Sequence, residues 1–155
     1  MPAARSTPAS EAWRALLIAF TGIHNDLADE MEEGVGLPIE DYEILLMLYE
    51  AGSGGLRPSE IAAQRRLSRS GATRLIDRLV RDGHVGRREC GDDGRGSVVS
   101  LTSQGRRTFT RAGRLHLDGI ERHVGSRLAD SEANELRQLL EKLTVEPSGP
   151  GSGRD

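Results

Sequence analysis

Between Ala12 and Glu33 the apolar residues Trp13, Leu16, Leu17, Phe20, Ile23, Leu27 and Met31 recur every three or four positions. That period predicts a long helix with one apolar stripe and charge elsewhere. Gly34-Val35-Gly36 marks its end. A second helix is expected over Ile39–Ala51, with Ile44, Leu45, Leu48 and Tyr49 on one face, before Gly52-Ser53-Gly54-Gly55 breaks the chain. Pro58 suits the first turn of a third helix, where its missing N–H costs nothing, and Glu60 sits near that helix's positive end. Ile61, Ala62 and Leu67 supply its apolar side. Ser68 is a good N-cap for a fourth helix that turns Ala72, Leu75, Ile76 and Leu79 inward and Arg69, Ser70, Thr73, Arg74, Asp77, Arg78 and Arg81 outward. Gly83 is placed to terminate it.

The period then changes from three or four to two. Val85–Glu89 and Ser97–Leu101 read as short strands around a turn-rich tip, Cys90 to Gly96. A fifth helix is expected from about Thr102 into the region of His123, with Phe109, Leu115, Leu117, Ile120 and Val124 as its apolar surface; Gly105, Gly113 and Gly119 argue against a straight one. Asp130 or Ser131 is expected to cap a last helix carrying Leu136, Leu139, Leu140 and Leu143. Residues 1–10 and 146–155 are small, polar and rich in Pro or Gly, and are expected to be disordered.

Four helices, two strands and two helices predict a mainly α fold with a small β-wing. A winged helix-turn-helix over 37–101 accounts for the middle. The N-terminal helix in 11–36 and the C-terminal helices in 102–145 exceed what that unit needs. Their apolar faces predict a dimerisation region and a homodimer.

Composition narrows the function. At 155 residues one domain, or one compact core with an appended interaction region, is expected. Aromatics are 3% of the chain, too few for stacking platforms that hold single-stranded nucleic acid. There is no run of about 18 apolar residues to span a membrane, and Met1 to Ser10 lack the apolar centre of a secretory signal. The single cysteine excludes an internal disulfide, which fits a cytoplasmic location. The net charge is −3, but its distribution is uneven: −8 over 1–56, +4 over 57–95 and +1 over 96–155. Charge is screened over about 8 Å at physiological salt, so the local sign outweighs the total. Of 21 basic residues only Lys142 is lysine, a bias that a GC-rich coding sequence explains without function.

Catalytic chemistry has no motif behind it. G-x-S-x-G, H-E-x-x-H and C-x-x-C are absent, and Gly91 to Gly96 lacks the Lys-Ser/Thr ending of a phosphate-binding loop. His24, His116 and His123 are scattered without the spacing of a zinc site. No catalytic residue, metal or cofactor is expected. Cys90 is a weak candidate for oxidant sensing only because Arg87 and Arg88 are near in sequence.

Asp93-Gly94-Arg95, then Val99, Leu101-Thr102 and Gly105, follow a D-x-R…V-x-L-T-x-x-G spacing. Upstream stand Pro58-Ser59-Glu60-Ile61-Ala62, the run from Ser68 to Leu79, and Asp82-Gly83-His84-Val85. In these residues the chain resembles the MarR family of bacterial transcriptional regulators from roughly Trp13 to Leu143, although His84 stands where many members have an apolar residue. The resemblance implies a dimeric winged-helix protein on palindromic double-stranded operator DNA, most often a repressor. It also implies release of the DNA by a small aromatic or phenolic effector held between the dimer helices and the DNA-binding unit. Trp13, His24 and Asp41 are the candidate pocket residues.

On that reading the fourth helix enters the major groove. Arg69 and Arg74 are placed to reach guanine, and Ser70 and Thr73 to reach bases or phosphates. Asp77 is expected to pair with Arg74 or Arg81. Arg78 and Arg81 suit phosphates or internal ion pairs, and of Arg87 and Arg88 one is expected on phosphate and the other packed or paired. Arg95 at the wing tip is expected in the minor groove, with Asp93 bracing it or another wing arginine. A winged-helix module that associates with protein rather than DNA is the alternative, and the acidic N-terminal third is compatible with it.

Overall fold

A computed structural model describes residues 6–89 and 97–143. Its helices are α1 (Pro8–Val35), α2 (Ile39–Glu50), α3 (Pro58–Gln64), α4 (Arg69–Arg81), α5 (Ser103–Ile120) and α6 (Asp130–Glu141), with strands β1 (Val85–Glu89) and β2 (Ser97–Leu101) between α4 and α5. The chain is mainly helical with a two-stranded antiparallel wing, as its pattern predicts. It divides into two compact units at Gly119/Ile120.

In the first unit, α1 begins earlier than expected. Thr7 Oγ1 accepts from the Ser10 N–H at 3.2 Å while Ser10 Oγ accepts from the Thr7 N–H at 2.8 Å. This reciprocal cap, with Pro8 at the first helical position, draws Pro8–Ser10 out of the segment expected to be disordered. Gly36, with φ of 64°, closes the other end. α2 buries Ile39, Tyr42, Ile44, Leu45 and Leu48. All but Ile39 join Met31 and Leu37, Ile61 of α3, Ile76 and Leu79 of α4, Val85, Val99 and Leu101 of the wing, and Ala112 of α5 in one core.

α3 is short. The Glu60 carboxylate accepts the Arg57 N–H at 2.6 Å at its start. It ends at Gln64, with Arg66 turning the chain at φ of 50°, so Leu67 falls beyond the helix and is exposed rather than completing its apolar side. Ser68 Oγ accepts from the Gly71 N–H at 3.1 Å and opens α4 as expected, and Gly83, φ 77°, lies just past its end.

The wing is tied down at its base. β1 and β2 pair from Val85↔Leu101 to Glu89↔Ser97. Leu56 adds a rung on the far side of β2, exchanging hydrogen bonds of 2.9 and 2.8 Å with Val99. Thr102 Oγ1 donates to the Gly83 carbonyl at 2.7 Å and accepts from the Gly105 N–H at 2.9 Å, joining the end of α4 to the start of α5. Gly105 serves this junction rather than a bend, because a Cβ there would lie 1.9 Å from the His84 carbonyl oxygen.

The second unit holds a π-helical turn, Glu121–Gly125, and α6. The expected Asp130 or Ser131 cap is not used: Ala129 is the N-cap, and its N–H is satisfied by the Glu132 carboxylate at 2.8 Å. Val124, Leu128, Ala133, Leu136 and Leu140 line an open apolar groove, and Leu139 and Leu143 are exposed.

Candidate nucleic-acid interface

α4 separates its residues by character. Ala72, Ile76 and Leu79 are buried, and Arg69, Ser70, Thr73, Arg74, Asp77 and Arg81 are exposed. Thr73 Oγ1 donates back to the Arg69 carbonyl at 2.9 Å, which leaves its lone pairs outward, and Ser70 Oγ lies 3.2 Å from Ser68 Oγ.

The arginines fall into two sets. Arg78 donates to the Asp41 carboxylate, Arg87 donates to Asp77 at 2.5 Å, and Arg65 pairs with Glu43. Arg69, Arg74 and Arg88 are exposed and make no ion pair among the described residues. Arg81 approaches Asp82 at 3.9 Å with both side chains in solvent, a contact of little energetic weight.

Asp77 therefore does not use the expected partners on its own helix. It reaches across to β1, and Arg74 is left without an ion pair among the described residues. Arg78, one of the expected DNA contacts, takes the internal ion pair that was its other reading. Arg87 is the paired member of the β1 arginines, which leaves Arg88 as the outward one. Arg95, Asp93 and Cys90 lie outside the described residues.

Asp41 is closed off from a ligand. Among the described residues it is the one buried charged group, 2% exposed, beneath Arg78. Burial pushes its carboxyl above 3.8 even though the Arg78 hydrogen bond and charge pull the other way. Arg78 is in turn held further above its ordinary value by that hydrogen bond. The other pocket candidates stand apart from this pair. Trp13 is 59% exposed on α1, and the His24 ring lies 5.3 Å from Phe20. An aromatic stack runs nearby: Tyr42 packs on Phe109 at 5.7 Å and on His116 at 5.0 Å, and Phe109 on Tyr49 at 4.6 Å. Burial lowers the His116 pKa below 6.5, and its Nδ1 is buried without a hydrogen-bond partner among the described residues.

The structure adds residues that the sequence reading did not single out. Arg57 and Ser59, flanking Pro58, share an open groove of about 490 Å³ with Arg69 and Thr73 of α4 and Ser97 of β2. The available signal was an arginine immediately before a helix start. Among the described residues no group of three His, Cys, Asp or Glu is arranged to hold a metal ion. No described helix is long and apolar enough to cross a membrane.

Two helices joined by a tight turn, the second carrying an outward cationic face and leading into an antiparallel hairpin, define a winged helix-turn-helix. A profile of the MarR family matches residues 35–96. The HTH-type transcriptional regulator BilQ of Clostridium symbiosum is 30% identical over 112 residues, 72% of this chain and 74% of that protein. The HTH-type transcriptional repressor YetL of Bacillus subtilis is 27% identical over 124 residues, 78% of this chain and 74% of that protein. Two Streptomyces coelicolor MarR-family regulators have similar solved structures. AbsC superposes with a TM-score of 0.77 at 29% identity, covering 90% of this chain and 95% of its own. Sco3205, solved in complex with DNA, gives 0.81 at 26% identity, covering 93% and 96%. The chain belongs to the MarR family and is a DNA-binding transcriptional regulator of the winged-helix kind.

Proposed function

We propose that this protein is a sequence-specific repressor that binds a palindromic double-stranded operator as a homodimer. The observation that carries this reading is the division of the arginines. Acids hold Arg78 and Arg87, whereas Arg69 and Arg74 stand exposed and without an ion pair among the described residues on the N-terminal half of α4. Guanidinium groups so placed suit the O6 and N7 acceptors of guanine in the major groove. Ser70, Thr73, Arg57 and Ser59 supply neighbouring donors for bases and phosphates. Arg81 and Arg88 add charge without base choice, and Arg95, with Asp93 bracing it, reaches the minor groove.

Residues 37–101 form the DNA-binding segment on this reading, and 11–36 with 102–145 the dimerisation segments. Trp13, Leu17, Ile18 and Phe20 are exposed on α1, an apolar face that a second copy would cover. The name of YetL, a repressor, and the DNA complex of Sco3205 support the reading. We extend it to release of DNA by a small aromatic or phenolic effector, supported by the rings of Tyr42, Tyr49, Phe109 and His116 with His24 close by.

Selection of bound sequences from random duplex DNA tests the proposal. The wild type should recover a motif with two-fold symmetry. Arg69→Ala or Arg74→Ala should relax base preference in each half-site, loss of each bidentate pairing removing about 1–3 kcal/mol of discrimination. Arg81→Ala should weaken all sequences alike. Recovery of no motif by the wild type, or an unchanged motif in both α4 variants, refutes the reading. Addition of phenolic compounds to the selected complex tests the effector: none releasing the DNA removes that extension alone.

A further inference from the structure

The N-terminal part of α5 carries a cationic stripe without an ion pair among the described residues. Residues 103–117 contain Arg106, Arg107, Arg111 and Arg114 and no acid. All four line an open groove of about 400 Å³ with Thr110, and their charged ends reach solvent. The opposite face of the helix is committed. Phe109 stacks on Tyr42 and Tyr49, Ala112 is buried, and Leu115 lies against Gly34. Arg111 makes one long hydrogen bond, 3.4 Å, to the Val35 carbonyl. None of the four makes an ion pair among the described residues.

Local electrostatics oppose this arrangement. Arg106 and Arg107 lie near the positive end of α5, where cations are disfavoured. Arg107 and Arg111 are four residues apart and Arg111 and Arg114 three, spacings at which like charges repel. An anion from outside the chain relieves both.

Its chemistry follows from shape and extent. The groove is shallow and its guanidinium groups are in solvent, so it does not enclose a small ligand. Exposed arginines instead gain from a polyanion, through counterion release and paired hydrogen bonds to phosphate. From Arg106 to Arg114 the stripe spans about 12 Å at 1.5 Å per residue. A straight stripe of that length meets about two neighbouring phosphates of one strand, because the strand winds around the axis while rising about 3.4 Å per phosphate. The stripe is also continuous with the end of α4. Gln104, on the same face as Arg107 and Arg111, donates to the Asp82 carbonyl at 3.0 Å, beside exposed Arg81.

We propose that Arg106, Arg107, Arg111 and Arg114 bind the phosphate backbone of duplex DNA outside the segment engaged by α4, as a second contact without base preference. This rests on the reading of α4 as the DNA-reading helix. The test is a set of anisotropy titrations over a range of salt with the full-length protein. One duplex holds only the selected site. The other carries the same site with random flanks of about one further helical turn on each side, roughly 10 base pairs. Arg107→Gln/Arg111→Gln should keep the short-duplex affinity within about twofold. It should lower the log–log salt slope on the long duplex by about 3.6, at about 0.9 for each of the four phosphates, two per protomer, that the bound homodimer no longer neutralises. Arg14→Gln/Arg137→Gln, which removes equal charge elsewhere, should leave the difference between the duplexes intact. An unchanged long-duplex slope in the α5 variant overturns this proposal alone. So does an equal loss on both duplexes, or an equal loss of the long-duplex increment in the control. A wild type that binds neither duplex overturns the α4 reading and this one together.

Discussion

The Arg78–Asp41 pair offers the most informative perturbation, because its two members sit on opposite sides of the solvent boundary. The Asp41 side chain is 3% exposed and that of Arg78 42%. Arg78→Met keeps the aliphatic stem and removes the guanidinium, leaving a carboxylate in the core without its cation. Stranding one charge of a fully enclosed pair costs roughly 3–5 kcal/mol. Arg78 is partly in water, so the pair is screened and about 2 kcal/mol is expected. The reverse change, Asp41→Asn, leaves a cation that can hydrate and should cost about 1 kcal/mol or less.

The pH dependence gives the sign. Asp41 is raised above 3.8 with Arg78 in place, and loss of Arg78 removes the influences that lower it. The native state then holds a proton that the unfolded chain has released, over a window opening at the unfolded value and extending upward. Stability falls as pH rises through that window. The deficit of Arg78→Met should therefore be larger near neutral pH than at about pH 4, because Asp41 takes up its proton at a higher pH in the variant fold than in the wild type. Urea unfolding at fixed protein concentration measures it, concentration being held because a dimer's apparent stability depends on it. A deficit of the same size at both pH values, or an Asp41→Asn cost equal to that of Arg78→Met, refutes the argument.

Gly105→Ala should destabilise by about 3 kcal/mol, because its Cβ would meet the His84 backbone oxygen at 1.9 Å and the α4–α5 junction must move. Gly22→Ala, with no atom within 4 Å of the new Cβ, should be neutral or stabilising by up to about 1 kcal/mol, and urea midpoints compare the two. Burial lowers the His116 pKa, so the unfolded chain takes up a proton below 6.5 that the fold resists, and stability should fall on acidification through that range. An NMR titration should place the His116 midpoint below 6.5, and His116→Phe should flatten the stability profile there.

Local rules were legible in the sequence, and contacts between distant residues were not. Both wing strands and the start of α4 follow from the alternating run and from Ser68. The start of α1 was missed because Ser10 fills the position where a reciprocal cap more often has Glu or Gln. The end of α3 was missed because Arg66, not a glycine, takes the left-handed turn. The partner of Asp77 is not legible because helical spacing sees three or four residues along one helix and cannot see Arg87, ten residues away on a strand. Asp41 and Arg78 lie 37 residues apart, so their pairing needed the packing of α2 against α4.

These pairings also decide which arginines face outward. Over 57–88 the acids are Glu60, Asp77 and Asp82. Glu60 caps α3, Asp77 holds Arg87, and Asp82 lies beside Arg81 at the far end of α4. Arg78 is neutralised from below by Asp41, and Arg65 by Glu43, both of α2. Each of these acids is thus committed to the C-terminal half of α4, its flanks or its underside, and none of them pairs with Arg69 or Arg74. The same contacts hold α4 and the wing to the core: Asp77–Arg87 joins helix to strand, Leu56 brackets β2, and Thr102 ties the end of α4 to α5. The paired residues fix the geometry and the unpaired ones keep their charge, so a defect in the first set should appear as lost stability and a defect in the second as lost base preference in a protein that still folds.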